Sequence, residues 1–559
     1  MIHGLAARST RGHHAIADRR RATVVNMAGR APSTSSAARW WLVVLVAGYL
    51  LIELVGGAPD SPLVPALPAE VRVPGWTARG ARVLGFDRLG RRGLTALALV
   101  LVAAVVCAFL LLAREAWRGR VRVAPVLVAG IVALALSVAG PLLLSRDVYS
   151  YAAYGRMFAL HHANPYSTPP AAFPADPFTR VLSPQWVDAR SVYGPAFTLV
   201  SAGIGRLFRA SPAATIQAFK LLSALALVGA TLLAAAACRK LRPDRTALTV
   251  ALIALNPVLM LHTVGGGHSD ALAALLLAGA LWCVSRPVTG SGGAMGRSER
   301  FGLEAPALSA TVLLALASSI KVALVVGLVV WLWVTLRRAG RGRWLVAGAA
   351  HLGLAVAAGA AVAAPLWAGR ETFGSLETLG SLEGWASGVR LVARGSEAVA
   401  RAVAGRSAEA MADHLTRAVF YVVFAAAVVW MLERARPPSI GHAFGASLLL
   451  LALAIPILLP WYSAWFILFL PFLSDDVILW AGVGVGALLA LTGIPAEPAG
   501  TPALWRDMVL FVHYAVAPLM LGLLAVVVIR VFTRTELAPL SLPPSLATSL
   551  RSTDDVSPR

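Results

Sequence analysis

Apolar runs of roughly twenty residues recur along this 559-residue chain, separated by short loops that carry arginine. That rhythm decides what the chain can fold into. In a bilayer each backbone N–H and C=O must be satisfied inside its own segment, so such runs become helices. Hydrophobic residues make up 58% of the chain, charged residues 14%, and the mean hydropathy is +0.73. These values exclude a soluble globular protein and predict an all-α polytopic membrane protein. The formal net charge of +22 has its arginines mostly in loops between apolar runs. That is the positive-inside bias, with attraction to anionic lipid, rather than a nucleic-acid footprint. Cys107, Cys238 and Cys283 lie in or beside apolar runs and have neither metal-site nor disulfide-framework spacing.

Residues 1–39 hold seven arginines against one acid, Asp18, and predict a disordered basic cytoplasmic tail; translation could equally start at Met27. Residues 40–532 form the membrane domain, and 533–559 a second disordered cytoplasmic tail. The run 40–55 is an anchor, because no small-residue cleavage site follows it. Alternating spans then follow at 93–113, 121–144, 213–237, 247–264, 271–285, 305–318, 322–336, 344–367, 414–432, 443–459, a short segment ending at Asp475, 477–494 and 508–530. The total is about fourteen, with both ends inside. Two large loops, 145–212 and 368–412, fall outside. The first carries a helix near 148–161, then a stretch broken by prolines, then 191–208. Read as an amphipathic surface helix, 191–208 places Arg239, Lys240, Arg242 and Arg245 inside, as charge bias prefers.

The polar exceptions converge on the outer side of this topology. SRDVYSYAAY, residues 145–154, follows the 121–144 run, so Arg146, Asp147, Tyr149 and Tyr151 sit just past a membrane boundary, with Arg156 beyond. An ionised carboxylate there can act as general base toward a hydroxyl acceptor, or the pair can simply end a helix, with tyrosines as interfacial anchors. Asn164 and Tyr166 belong to an Asn-Pro-Tyr turn, and Tyr193 to a Tyr-Gly-Pro turn. In GGGHSD, residues 265–270, the glycines allow a tight turn. Asp270 there is an N-cap, or with His268 a pair of hydrogen-bonding groups for a polar substrate. Lys321 lies between two apolar runs, where a cation costs about 2.5–3.5 kcal/mol. It either snorkels to the surface or serves as counter-charge to a phosphate. Trp461 and Tyr462, in PWYSAW, form an aromatic belt or stack on sugar rings. There is no Walker loop, HExxH or GxSxG motif.

In order, SRDVYSYAAYGR, NPY, VYGP, NPVLMLHTVGGGHSDAL, SSIKVAL and LLPWYSAW resemble the bacterial polyprenol-phosphomannose-dependent α-1,6-mannosyltransferases, which are integral membrane glycosyltransferases of the GT-C class. The similarity runs over about residues 40–530. It implies a GT-C-type bundle with a structured external loop, and a polyprenyl-phosphate-linked mannose donor. The implied acceptor is an α-1,6-mannan or lipomannan-type glycolipid. Ser269 departs from the asparagine usual at that place in the family. The implied setting is the plasma membrane of a bacterium, with the site on the external face.

The expected chemistry is a single inverting displacement. Asp147 takes or polarises the acceptor proton, and Lys321 with Arg146 or Arg156 neutralises the leaving phosphate. Tyr149, Tyr151, Asn164, Tyr166, Tyr193, His268, Asp270, Trp461 and Tyr462 are the expected substrate contacts. No cofactor is required; a divalent metal is possible but nothing in the residues indicates one. Transfer of another sugar, transport of a lipid-linked sugar, and non-catalytic binding of lipid-linked glycans are the alternatives. The charges avoid the mid-depth of the apolar runs, which disfavours transport.

Overall fold

The computed structural model describes residues 34–285, 303–339, 342–373, 384–434, 440–496 and 501–533. The expected tails therefore lie largely outside the described residues, as does the loop containing Arg297 and Arg300. Among the described residues every regular element is helical.

The first half comprises α1 (Ser36–Gly56), α2 (Gly90–Trp117), α3 (Val123–Ala139), α4 (Asp147–Leu160), α5 (Pro195–Leu207), α6 (Pro212–Leu241), α7 (Thr246–Ala254) and α8 (Asp270–Val284). The second half comprises α9 (Ala305–Ser318), α10 (Val325–Ala339), α11 (Trp344–Ala363), α12 (Gly388–Ala404), α13 (Glu409–Arg434), α14 (Ile440–Ala454), α15 (Asp476–Ala490), α16 (Pro502–Phe511) and α17 (Ala517–Thr533). Among the described residues six helical stretches are long and apolar enough to cross a membrane: Ser36–Gly56, Gly90–Trp117, Pro212–Leu241, Trp344–Leu366, Arg406–Arg434 and Pro502–Thr533. Six shorter apolar helices among the described residues join them in the bundle, which is that of an all-α polytopic membrane protein.

The helices start where the local chemistry allows. Ser35 caps α1 by accepting from the Ala38 amide at 3.1 Å, and Ser211 caps α6 just before Pro212. In α6 one face exposes Leu221, Leu225 and Leu232, while Lys220, Ser223, Leu227 and Ala230 are buried against α7 and α8. Such a helix is lipid-facing on one side and protein-facing on the other. The arginine-rich ends meet each other: the Ser35 amide donates to Arg120 O, and Arg245 pairs with Asp476 at 2.7 Å. The segment that reaches Asp147 lies at the opposite end of α3, about 25 Å away for a helix of this length.

Two expected spans are broken. The run 247–264 is interrupted after Ala254 at residues 255–256, because Pro257 supplies no amide and keeps Asn256 out of helical geometry. The Asn256 side chain fills the gap, donating to Leu252 O and accepting from the Val258 amide. A π turn, Leu259–Val264, follows. The short segment before Asp475 is two 3-10 stretches, Pro460–Trp465 and Ile467–Phe472, rather than an α-helix.

The loop 145–212 is built on α4 and α5, which lie against each other. α5 has thirteen residues, about 20 Å, shorter than a bilayer core. Gly155 of α4 faces the backbone of Ser201, and Gly205 of α5 faces the backbone of Arg156. Small residues at both crossings let the two backbones approach closely.

Candidate active site

The Asp147 segment is fixed from three directions before the side chain is reached. The Leu143 amide donates to Gly265 O at 3.0 Å, and the Leu144 amide to Leu63 O at 2.8 Å. From α6, the buried Lys220 Nζ donates to Gly140 O at 2.7 Å and to Pro141 O at 2.5 Å. One turn further along α6, Ser223 Oγ donates to His268 O at 2.9 Å. The same helix face therefore holds both the approach to Asp147 and the turn that carries His268. That turn needs Gly267, whose φ is +67°.

Asp147 opens α4, with its amide bonded to Ser145 Oγ and its side chain 23% exposed. Its Oδ2 lies 3.8 Å from His268 Nδ1, and the Tyr151 hydroxyl lies 2.9 Å from the same nitrogen. His268 is fully buried and stacks on Trp461. Across the site Lys321 Nζ is 3.6 Å from Asp270 Oδ2, and Trp465 Nε1 donates to Asp270 Oδ1 at 2.8 Å. The ammonium also sits 5.6 Å from the Tyr193 ring centroid and 5.4 Å from that of Tyr462. It points inward at a carboxylate and two aromatic faces rather than snorkelling outward. Asp270, expected as an N-cap, begins α8 without capping it, because its carboxylate is taken by Trp465 and Lys321.

Burial pushes the Asp147 carboxyl up to about 6; Lys321 opposes this rise and Asp270 adds to it. Burial, with Lys321 adding to it, holds the His268 imidazole well below its ordinary value, so it is neutral at pH 7. Two carboxylates and one ammonium thus share the centre.

Asp147 stands in the common wall of two cavities. One, of about 540 Å³, is lined by Lys321, Tyr193, Arg390, Arg394, Tyr462 and Trp465, with Val192, Val322 and Ala323. The other, of about 640 Å³, is lined by Ser145, Arg146, Pro460, Thr492, Trp505 and Met508. Gln185, Trp186, Trp385, Leu459 and Trp461 border both. These volumes suit small-molecule or sugar ligands.

Other expected residues take structural partners. Arg156 is buried, pairs with Asp176 at 2.8 Å and donates to Arg209 O. The Tyr149 hydroxyl donates to Ala66 O, and the Tyr166 hydroxyl to Tyr193 O at 2.7 Å. Asn164 accepts from the Tyr166 amide and donates to Leu366 O. None of these four lines either cavity. Trp186, Trp385, Arg390, Arg394 and Trp505 do line them and were not expected. Their only sequence signal is tryptophan and arginine inside loops between apolar runs. Among the described residues no three His, Cys, Asp or Glu side chains are grouped to hold a metal ion.

Fold and site together define a polytopic membrane protein in which a carboxylate, an imidazole and an ammonium meet between two cavities. The family model described as "Alpha-(1->6)-mannopyranosyltransferase, N-terminal domain" matches residues 61–337. The match takes in Asp147, Tyr151, Tyr193, His268, Asp270 and Lys321, and ends before α12. The chain is 27% identical over 396 residues to the alpha-(1->6)-mannopyranosyltransferase Rv1459c of Mycobacterium tuberculosis (strain ATCC 25618 / H37Rv), covering 63% of this chain and 65% of that protein. It is 28% identical over 362 residues to a probable alpha-(1->6)-mannopyranosyltransferase of Mycolicibacterium smegmatis (strain ATCC 700084 / mc(2)155), covering 59% and 61%. It is 28% identical over 406 residues to alpha-(1->6)-mannopyranosyltransferase A of Mycobacterium tuberculosis (strain ATCC 25618 / H37Rv), covering 70% and 69%. The chain thus spans just under two thirds of the length of the first two relatives. No solved structure matches it.

Proposed function

We propose that the protein is an inverting mannosyltransferase. It moves mannose from a polyprenyl-phosphate-mannose donor to an α-1,6-mannan or lipomannan-type glycolipid on the external face of a bacterial plasma membrane, with both chain ends cytoplasmic. The observation that carries this reading is Asp147 in the wall between two cavities, where one group can face both substrates. The names of the three relatives support mannose as the sugar.

In the reaction the acceptor hydroxyl oxygen attacks the anomeric carbon of mannose. The new C–O bond forms as the bond from that carbon to the phosphate oxygen breaks. The electron pair of the broken bond leaves with the polyprenyl phosphate, and the hydroxyl proton passes to the Asp147 carboxylate. A base whose pKa lies near the working pH is suited to this task. His268, neutral and held by Tyr151 and Trp461, keeps the carboxylate aimed. Lys321 stabilises the charge that develops on the phosphate. The scheme invokes no metal and no other cofactor.

The test is transfer in purified membranes supplied with radiolabelled polyprenyl-phosphomannose and a short α-1,6-mannoside. Label in a lengthened mannoside supports the proposal. Label carried across the bilayer without transfer replaces it with transport, and label that stays bound replaces it with simple binding.

A further inference from the structure

The two cavities that meet at Asp147 differ in charge and in what lies at their mouths. The smaller one carries three cations, Lys321 and the pair Arg390 and Arg394. The larger one carries a single arginine, Arg146, among tryptophan, proline and aliphatic side chains. Lys321 is already engaged with Asp270 at 3.6 Å, and Asp147 adds a second carboxylate nearby. The entering donor is a phosphodiester, and the polyprenyl phosphate that leaves is a monoester carrying a second negative charge, so the site needs more positive charge than one lysine supplies, and α12 brings it.

Ser387 caps α12 by accepting from the Arg390 amide, so this arginine lies in the first turn of the helix. Its side chain is buried and is held by Glu397 at 2.9 Å, with Asp413 at 3.9 Å. A guanidinium has five N–H donors in a rigid fork, so a carboxylate on one of them fixes the orientation of the rest. Arg394 follows four residues later, on the same face of α12, and is exposed.

The same cavity has an apolar wall. Val192, Val322, Ala323, Ile457 and Leu459 line it. Val322 is 47% exposed, and with Val325 and Val329 it continues an exposed apolar strip along α10. A polar pocket opening onto such a strip fits an anionic headgroup with a long hydrocarbon tail.

We propose that the smaller cavity is the lipid-phosphate site, in which Arg390 and Arg394 of α12 join Lys321 on the phosphate and the chain leaves along Val322, Val325 and Val329. The larger cavity then takes the acceptor, whose sugars lie against Trp505 and the shared Trp186 and Trp385. This assignment rests on the lipid-phosphate donor proposed above.

The experiment uses the full-length protein in detergent micelles and measures binding of undecaprenyl phosphate by intrinsic tryptophan fluorescence. Undecaprenol and inorganic phosphate are run as controls. Arg394→Gln lies at an exposed position and leaves the Glu397 pair untouched, so it carries the test if Arg390→Gln fails to fold. Each variant should weaken undecaprenyl phosphate binding by about tenfold, the scale of one lost charge-assisted hydrogen bond. In transfer assays the KM for the lipid donor should rise while the KM for the mannoside stays constant. Trp505→Ala should do the reverse. Undecaprenol binding as tightly as its phosphate overturns the cationic role, and inorganic phosphate competing at equal concentration overturns the lipid wall. Unchanged binding in both arginine variants overturns the assignment of α12. Wild-type protein that ignores undecaprenyl phosphate altogether refutes instead the donor class on which the assignment depends.

Discussion

His268 lies flat on Trp461, with ring centroids 3.7 Å apart and planes inclined by 17°. The stack fixes the plane of the imidazole, and the Tyr151 hydroxyl then fixes which way Nδ1 faces. Asp147 is met by a neutral nitrogen rather than a cation. Burial therefore keeps the Asp147 pKa high, with Lys321 as the cation that opposes the rise.

Replacing Asp147 with Asn keeps the size and removes the charge. Transfer should fall by roughly 10²–10⁴-fold, the usual worth of a positioned general base. Melting in detergent should hold or rise slightly, since a half-buried carboxylate is no longer paid for. Rates and melting curves measured on the same preparation check both parts, and near-normal transfer would remove Asp147 from the mechanism.

The acid limb of the rate profile should lie near pH 6 rather than near 4. Asp147 ionises at about 6 in the folded protein against the ordinary 3.8, so it loses base function as pH falls through 6. Stability moves the other way. The folded state binds this proton more readily than the unfolded one, so this group's contribution is full below 3.8 and is lost as pH rises through 6. Rates across this range, compared with melting in wild type and Asp147→Asn, read the two slopes separately.

Lys321 and Asp270 should behave as a pair. Lys321→Met alone leaves the fully buried Asp270 carboxylate without its ammonium, an arrangement that costs on the order of 3–5 kcal/mol when a buried pair is broken. Lys321→Met with Asp270→Asn should recover most of the melting temperature and little of the transfer rate. Recovery of both would reduce Lys321 to a structural counter-ion.

Lys220 tests positioning without touching substrate. Its ammonium bonds Gly140 O and Pro141 O, and Glu53 of α1 is its opposing charge. Lys220→Met combined with Glu53→Gln removes both charges and leaves the two carbonyls without that donor. The maximal rate should fall by about 10–100-fold, as expected for a displaced catalytic group, with the donor KM unchanged. A raised donor KM at constant rate would contradict the positioning role.

The centre was legible where chemistry and interface position coincide. Asp147, His268, Asp270, Lys321 and Trp461 each stand at the end of an apolar run, and the structure brings them together. Arg156, Asn164, Tyr149 and Tyr166 are close to Asp147 in the chain, but their partners are Asp176, Leu366, Ala66 and Tyr193. Nearness along a loop says nothing about which side of a helix faces a cavity. Lys220 was hidden for the opposite reason: as one lysine in a long apolar run, it shows its use only once Gly140 and Pro141 are seen beside it. The breaks at Pro257 and in 460–472 were obscured because hydropathy measures greasiness and not backbone geometry.

Gly194 donates its amide to Ile320 O, and Ala196 donates to Ser319 O, so the entrance to α5 and the exit of α9 form a two-rung ladder. A methyl group on Gly194 would strike the Ser319 carbonyl. Tyr193 sits one residue before this ladder and Lys321 one residue after it. The two are therefore heritable as a unit: a lineage that reshapes the pocket at one of them must accept, or compensate, a change at the other.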